Sequence, residues 1–286
     1  MVHTCKKTCV HLEEDRQDHR VQRLLGWNRH VDPIGSPFFA PRSMIPASVQ
    51  PPCRLEICGE KPDTIPTREN MKTTIWKGAA DRSLPTVYIH SVAGDGHNVW
   101  NRCREMGCPE FNLVSIHDFD FEGELTPWPA PGVRKGLPMF NGNAEAHLEK
   151  LLDEIMPEVE RSLPHPSSVN TIAGYSLAGL FAFWSQWKTD VFHRVGCGSA
   201  SFWYPGFIDF IKTHEILRKP DYVYLSLGDN ESNTKHPVMS RVGDCTEQVL
   251  SFLDKTGIAH DFEINPGNHF SDPDGRLAKA IKAILK

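Results

Sequence analysis

From Met71 to the end of the chain, apolar residues recur in two alternating patterns. Short runs rich in β-branched and aromatic residues are typical of buried strands, whereas apolar residues at every third or fourth position are typical of helices. The strand-like runs are TTIWKG, PTVYIHS, FNLVSIHDF, VNTIAGYS, VFHRVGCGSA, DYVYLSLG and HDFEINPG. The helix-like segments are VWNRCREMG, AEAHLEKLLDEIMPEVERSL, LAGLFAFWSQWKT, PGFIDFIKTHEIL, GDCTEQVLSFLDKTG and DGRLAKAIKAILK.

This alternation of strands and helices predicts an α/β fold, with a mainly parallel sheet and helices on both faces. Ligands of such folds collect at the carboxyl ends of the strands. The longest helical pattern, 144–163, contains Pro157, which we expect to kink it.

The first 70 residues have a different character. They contain eight of the 22 prolines and no sustained period of a strand or helix. We therefore expect a poorly structured N-terminal extension over 1–70, followed by the α/β domain over 71–286. Four possible metal ligands in this segment, with the spacing C-x3-C-x-H-x7-H, match no usual zinc pattern, so a tail without metal is the better interpretation. They are Cys5, Cys9, His11 and His19.

Composition and charge narrow the class of partner. A formal net charge of -5 over 286 residues makes nucleic acid and anionic membranes poor partners and favours a small-molecule substrate. No apolar run approaches the roughly 18 residues that a membrane span needs. The eight cysteines are scattered, which favours reduced thiols and a cytoplasmic location. The sequence leaves the oligomeric state open, and a homo-oligomer is compatible with it.

The stretch GYSLAG places Ser176 where a strand-like run gives way directly to a helical pattern. This is the context of a nucleophile elbow, in which a sharp strand–turn–helix connection exposes the serine hydroxyl above the sheet. The small residues Gly174 and Ala178 suit the close approach of backbone that the turn requires. The alternative is an ordinary serine N-cap on a β–α turn.

A serine nucleophile needs a base and a group that orients the base. His269 follows the last strand-like run, and Asp229 and Glu231 follow the run before it, so the chain order serine, acid, histidine of α/β-hydrolases is available. The alternatives are a solvent-facing loop histidine and acids that cap the turn or the next helix. The residues alone leave both acids open as partners of His269.

The same chemistry needs backbone N–H groups that stabilise an oxyanion. One candidate is the N–H of Leu177, the residue after the serine. The second is expected in the glycine-rich loop 91–96, where we nominate Val92. The alternatives for this loop are a plain glycine turn or a phosphate loop, but the sequence contains no G-x-x-x-x-G-K-[ST] motif.

Several blocks in this order carry a resemblance to a known family: HSVAGDGHNVW, LTPWPAPGVRKG, GYSLAGLFAFW, GSASFWYPGF, LSLGDNESNTKHPVM and GNHFSDPDGRL. Residues 71–286 resemble the α/β-hydrolase esterases related to enterochelin (ferric siderophore) esterases and esterase D, and more closely a group of mostly bacterial predicted hydrolases among them. The resemblance implies a catalytic Ser176 and His269. In the relatives the acid follows G-x-x-[DE], which corresponds to Gly228 and Glu231 here, with Asp229 in reserve.

The resemblance also implies an aromatic residue of the substrate site, which corresponds to Trp203. No long insertion separates the strand-like run VFHRVGCGSA from the acid, which argues against a large cap domain. The segment 119–143, which includes Trp128, is expected to form a pocket wall, its alternative being a proline-stiffened surface loop. Trp203, Tyr204 and Trp128 suit an aryl or other apolar acyl group, or else complete the core.

The function predicted from these observations is a serine esterase that cleaves a small carboxylic ester through an acyl-enzyme, with no cofactor. Two alternatives stay open. One is a peptidase or acyl transferase on the same scaffold. The other is a hydrolase-like binding protein without catalytic activity.

Overall fold

The computed structural model describes residues 62–66, 71–79, 81–133 and 139–286. The chain divides into two units, Met1–Lys61 and Pro62–Lys286. The first unit lies outside the described residues, and so do the cysteines and histidines weighed above as zinc ligands.

An eight-stranded sheet forms the centre of the second unit, with the strand order β1-β2-β4-β3-β5-β6-β7-β8. The pairs β1–β2 and β2–β4 are antiparallel and the remaining pairs are parallel, as in β3–β5 and β7–β8. The strands are β1 (Asp63–Pro66), β2 (Lys72–Trp76), β3 (Thr86–His90), β4 (Asn112–His117), β5 (Asn170–Tyr175), β6 (Arg194–Gly198), β7 (Tyr222–Gly228) and β8 (His260–Asn265). All seven predicted strands are confirmed.

Strand β1 was not expected. It lies inside the segment 1–70 that the sequence analysis treats as an extension, and it pairs with β2 in the register Asp63↔Ile75 to Pro66↔Lys72. The sheet therefore begins before the boundary expected at Met71. The division into an extension and a catalytic domain stays a prediction, because most of the first segment lies outside the described residues.

Helices cover both faces of the sheet, as predicted. They are α1 (His97–Glu105), α2 (Phe121–Glu124), α3 (Ala144–Lys150), α4 (Met156–Ser162), α5 (Leu177–Trp184), α6 (Phe207–Thr213), α7 (Val242–Thr256) and α8 (Pro273–Ile284). One buried apolar cluster joins α1 and α8 to one face, with Trp100 and Ile281 among its members. A larger cluster packs α3, α5 and α7 on the other face and includes Trp184 and Leu253.

The long helix expected over 144–163 is interrupted. A π-helical turn, Leu151–Ile155, separates α3 from α4, and the N–H of Met156 donates to the carbonyl of Leu151. Pro157 is the second residue after this turn. Since proline has no N–H and its ring clashes with the carbonyl four residues earlier, the wider turn before it accommodates the proline. The expected distortion is therefore present as a π-turn.

The connection from β6 to β7 is short and contains only the seven-residue helix α6. No cap domain is inserted at this point, as expected. In the described ranges, no helix has the length and apolar character needed to cross a membrane. Four cysteines in these ranges are free thiols, namely Cys103, Cys108, Cys197 and Cys245.

Candidate active site

Ser176 lies at the turn from β5 into α5, at the carboxyl edge of the sheet. Its backbone has φ 60 and ψ -122. A non-glycine residue adopts such a positive φ only when its surroundings impose it. The N–H of Ser176 donates to the Gly198 carbonyl (3.1 Å), and its own carbonyl accepts from the N–H of Ser201 (3.0 Å). These bonds to the end of β6 hold the serine in the geometry of a nucleophile elbow.

Gly174 makes this turn sterically possible. A Cβ atom at this position would lie 2.1 Å from the carbonyl oxygen of Ala178. All eight residues of α5 are buried, so the helix cannot move away to make room. The requirement for small residues around Ser176, inferred from the sequence, is therefore a packing requirement between β5 and the first turn of α5.

Two hydrogen bonds connect Ser176 to a histidine and an acid. The Ser176 Oγ lies 3.1 Å from Nε2 of His269, and Nδ1 of His269 lies 2.9 Å from Oε2 of Glu231. Ser176 and His269 are partly buried, whereas the Glu231 side chain is only 2% exposed. The structure thus brings together the three residues that the sequence analysis selected from the ends of β5, β7 and β8.

Glu231 is held as an ionised carboxylate. Burial raises the pKa of this carboxyl, but the hydrogen bond and charge of His269, with the hydrogen bonds from Ser199 and Gly228, outweigh burial and lower the pKa below its usual value. An ionised carboxylate only accepts hydrogen bonds, so Nδ1 of His269 is the donor. In the neutral ring Nε2 is then the acceptor and faces the Ser176 hydroxyl.

Asp229, the alternative acid, has a different partner. Its Oδ1 accepts from the N–H of Gly267 (2.8 Å), and its side chain is exposed. This bond links the end of β7 to the loop that carries His269. Asp229 therefore supports the loop, while Glu231 contacts the imidazole itself.

The two expected oxyanion donors lie at the ends of neighbouring parallel strands. In the register of β3 and β5, Ile89 is paired with Ala173. Val92 and Ser176 each lie three residues beyond that pair, and Leu177 follows directly. Strand pairing therefore places the loop that contains Val92 beside the elbow, at the same level of the sheet. The N–H of Leu177 belongs to the first turn of α5, whose dipole favours a negative charge there.

The segment that contains Trp128 crosses the carboxyl edge of the sheet toward the loop after β6. The indole N–H of Trp128 donates to the carbonyl of Pro205 (2.8 Å), and the hydroxyl of Tyr204 donates to the carbonyl of Trp128 (2.5 Å). Farther along, Nε2 of His236 bonds the carbonyl of Val133. These contacts attach the segment that is expected to form a pocket wall to the loop after β6 and to His236. Residues 134–138 of the segment lie outside the described part of the chain.

The two tryptophans nominated for substrate contact both lie on the β6 side of the elbow. Trp203 is half-buried and packs against the core, two residues beyond Ser201, whose Oγ is 3.3 Å from that of Ser176. Trp128 packs against the ring of Tyr204. Tyr204 itself is fully buried, so its ring completes the core.

Three polar residues near the triad were missed by the sequence analysis. Ser199, at φ 45, donates from Oγ to Oε1 of Glu231 (2.6 Å), and Arg276 Nη1 donates to the same oxygen (2.9 Å). Ser201 is the third. Arg276 had a detectable signal, because it occupies a position on the apolar face of a helical pattern, where a charged residue requires a partner.

In the described residues, no group of three or more His, Cys, Asp or Glu side chains has a geometry that could hold a metal ion. Taken with the three-layer architecture, a serine at a strained strand–helix turn defines the class of α/β-hydrolases.

Comparisons with known proteins agree with this class. The family model for esterases ("Putative esterase") matches residues 76–261, more than half of the chain. The chain belongs to this esterase family. It is an ester hydrolase, as the sequence analysis predicted.

Two proteins of Bacillus subtilis (strain 168) are similar in sequence. YbbA, an uncharacterized protein, is 27% identical over 186 residues, which cover 62% of this chain and 74% of YbbA. The ferri-bacillibactin esterase BesA is 28% identical over 156 residues, or 51% of this chain and 53% of BesA. This chain thus matches about half the length of BesA.

Solved structures share the fold. An IroE-like serine hydrolase from Shewanella oneidensis has a TM-score of 0.64 at 18% identity, with 79% of each chain covered. The siderophore hydrolase EstB from Aspergillus nidulans has a TM-score of 0.60 at 18% identity, with 84% of this chain and 97% of that chain covered. These likenesses confirm the fold predicted from the sequence. The resemblance to siderophore esterases is supported by the esterase family model and by the similarity to BesA.

Proposed function

We propose that this esterase cleaves a small carboxylic ester through an acyl-enzyme on Ser176, with His269 as general base and acid and Glu231 as the group that orients it. The observation that carries the proposal is the continuous hydrogen-bonded path from Ser176 Oγ through His269 to Glu231, with distances of 3.1 and 2.9 Å. Each distance lies within the range required for direct proton transfer or orientation.

The first half of the reaction forms the acyl-enzyme. Ser176 Oγ attacks the ester carbonyl carbon while its proton passes to Nε2 of His269, and the carbonyl π electrons move to the oxygen. The tetrahedral intermediate collapses, the bond to the leaving alkoxide breaks, and His269 returns the proton to that alkoxide. Glu231 stabilises the imidazolium that exists between these two transfers, because its carboxylate lies 2.9 Å from Nδ1.

The second half of the reaction releases the acid. His269 takes a proton from water, whose oxygen attacks the acyl carbon, and then protonates Ser176 Oγ as the acyl–oxygen bond breaks. In both halves the negative charge develops on the former carbonyl oxygen. The N–H groups of Leu177 and Val92 are the proposed donors to it, on the ground of their place at the ends of β5 and β3.

The substrate proposed is a small ester with an aryl or other apolar acyl group. Support comes from Trp203, which lies two residues beyond Ser201 in the loop after β6, and from Trp128, which packs against Tyr204 of the same loop. BesA is an esterase of ferri-bacillibactin. A siderophore ester therefore belongs in the substrate panel beside simple aryl esters.

The test is turnover of a p-nitrophenyl short-chain ester by wild type and by Ser176→Ala. We expect Ser176→Ala to abolish turnover while the circular dichroism spectrum stays the same, and undiminished turnover would refute the proposal. A fluorophosphonate probe with peptide mapping adds a site-specific readout. Label is expected on Ser176, and Ser201→Ala is the matched control that should retain it, although its Oγ lies only 3.3 Å away. Absence of label on a folded protein would favour the binding-protein alternative.

The remaining predictions accompany this proposal. A cytoplasmic location rests on the scattered cysteines, and the exclusion of nucleic acid rests on the net charge of -5. Peptidase and acyl transferase activity are alternatives that the same ester panel tests, by including an amide substrate and an alcohol acceptor.

A further inference from the structure

A buried arginine contacts the side of Glu231 that faces away from His269. Arg276 lies in the first turn of α8 and is only 3% exposed. Its Nη1 donates to Oε1 of Glu231 at 2.9 Å, while Oε2 of the same carboxylate serves His269. A buried charge of this kind persists only when paired and hydrogen-bonded, and Arg276 meets both conditions.

Arg276 also binds the loop that carries His269. Its Nη2 donates to the carbonyl of Pro266 (3.0 Å), three residues before the histidine. Its Nη1 lies 3.3 Å from the hydroxyl of Tyr175, and that hydroxyl donates to the carbonyl of His269 (2.6 Å). One planar guanidinium thus connects the acid, the loop before His269 and the residue that holds the His269 backbone.

The space around the Glu231 carboxylate and the Arg276 guanidinium is tightly packed at Gly228. A Cβ atom at Gly228 would lie 2.9 Å from Oε1 of Glu231 and 3.0 Å from Nη1 of Arg276. The Gly228 N–H donates to Oε1 at 2.7 Å, and Ser199 Oγ donates to it at 2.6 Å. Oε1 therefore accepts from three donors, which leaves Oε2 directed at the imidazole.

We propose that Arg276 is a positioning residue for ester hydrolysis, which fixes the Glu231 carboxylate and the His269 loop together and sets the charge that the imidazole experiences. The inference rests on the function proposed above, since it assigns a role relative to His269 as the base. It goes beyond that function because no step of the reaction requires a cation at this place.

The sign of the charge effect follows from the groups around the imidazole. Glu231 contributes a negative charge, Arg276 contributes a positive charge, and Asp229 reaches the loop through Gly267. Burial raises the pKa of Tyr175 to about 12, so its phenol is neutral at working pH. With Arg276 present, its positive charge offsets part of the negative charge of Glu231. Without it, the uncompensated carboxylate favours the imidazolium.

The test uses the full-length enzyme with Arg276→Met, Arg276→Gln and Arg276→Lys, and measures kcat, KM and the pH dependence of kcat/KM. In the two neutral variants we expect the acid limb of the profile to move to higher pH by about one unit. We also expect kcat to fall roughly 10- to 100-fold with little change in KM, because the His269 loop loses its anchor. A merely structural role would lower the active fraction without moving the limb.

The lysine variant separates charge from geometry. Arg276→Lys keeps a cation near Glu231 but cannot reach both Oε1 and the Pro266 carbonyl with one planar group. We expect a lower kcat with the acid limb within about 0.3 pH units of wild type. If the neutral variants fail to fold, this variant still decides the question, because an unchanged kcat would overturn the proposal.

Lys279→Met is the matched control on the same helix. Lys279 bonds Glu263 and Asn265 and is 39% exposed, so its removal takes one positive charge from α8 without a contact to the triad. We expect its acid limb to match wild type. An unmoved limb in the folded neutral variants, or an equal shift in Lys279→Met, overturns the role of Arg276. Turnover retained by Ser176→Ala would instead refute the function, so the two failures are distinguishable.

Discussion

The substitution Glu231→Gln gives the sharpest prediction about the acid, because the surrounding donors determine how the new amide must lie. In the wild-type protein Oε1 accepts hydrogen bonds from Ser199, Gly228 and Arg276. An amide NH2 group cannot accept them. The glutamine oxygen must therefore keep this position, and the NH2 must face Nδ1 of His269.

The consequence for catalysis follows from the histidine tautomer. When Nδ1 has to accept from the amide, the neutral ring carries its proton on Nε2, which faces Ser176 at 3.1 Å. That nitrogen cannot then take the serine proton. The same tautomer error in a serine protease triad lowers kcat about 10⁴-fold. We expect a loss of that order, equivalent to about 5.4 kcal/mol in activation free energy.

The assay is steady-state hydrolysis of a p-nitrophenyl ester at neutral pH, with the fold checked by circular dichroism. Asp229→Asn is the matched control, because its side-chain oxygen can still accept from the Gly267 N–H. We expect its kcat to stay within about twofold of wild type, as for an exposed polar substitution. The reasoning is refuted if Glu231→Gln retains kcat within about tenfold of wild type, or if Asp229→Asn loses as much.

Three further predictions concern the nucleophile elbow, the segment that contains Trp128, and the stability of the fold at acid pH. Gly174→Ala should lower the free energy of unfolding by roughly 1–3 kcal/mol, since its Cβ would lie 2.1 Å from the Ala178 carbonyl oxygen; denaturant titration measures this, and wild-type stability would contradict it. Trp128→Phe removes the N–H that donates to the Pro205 carbonyl. We expect it to raise KM for an aryl ester about two- to tenfold while kcat is maintained. An unchanged KM would exclude a role of this hydrogen bond in the substrate site. The pKa of Glu231 is lower in the folded than in the unfolded chain, so the stability it contributes is present above the unfolded pKa and is lost as pH falls through the folded pKa. Below about pH 5 the melting temperature of wild type should therefore fall more steeply than that of Glu231→Gln, and parallel curves would refute this.

The inner strands of the parallel part of the fold could be predicted from the sequence because they are buried on both faces. Such strands read as continuous apolar runs, and β3 and β4 are buried at every position. Strand β1 could not be predicted in this way. It has four residues within a proline-rich segment, and its place in the sheet depends on pairing with β2 rather than on an apolar pattern of its own. The π-turn before Pro157 could not be predicted from periodicity either, because its extra residue does not disturb the helical spacing of the apolar residues in the sequence.

The candidate site shows a similar division between local and non-local information. Ser176 and His269 could be selected because each follows a recognisable strand, and strand order brings their loops to one edge of the sheet. The choice between Asp229 and Glu231 could not be made from the residues, since both follow β7 within three positions. In the structure the turn after Gly228 directs Glu231 inward to the imidazole and Asp229 outward to a loop N–H.

Arg276 marks the limit of what a chain pattern can reveal about a site. Its place on the apolar face of α8, beside the buried Leu277 and Ala280, shows that it must have a partner inside the protein. The pattern cannot identify that partner, because the packing of α8 against the sheet determines which groups the guanidinium reaches. Glu231 lies 45 positions earlier in the chain, and the two meet only where the end of β7 and the first turn of α8 come together. A motif search centred on the serine, the acid and the histidine finds the groups that react. The charged residue that positions them is found only when the ion-pair partner of each buried charged group is identified.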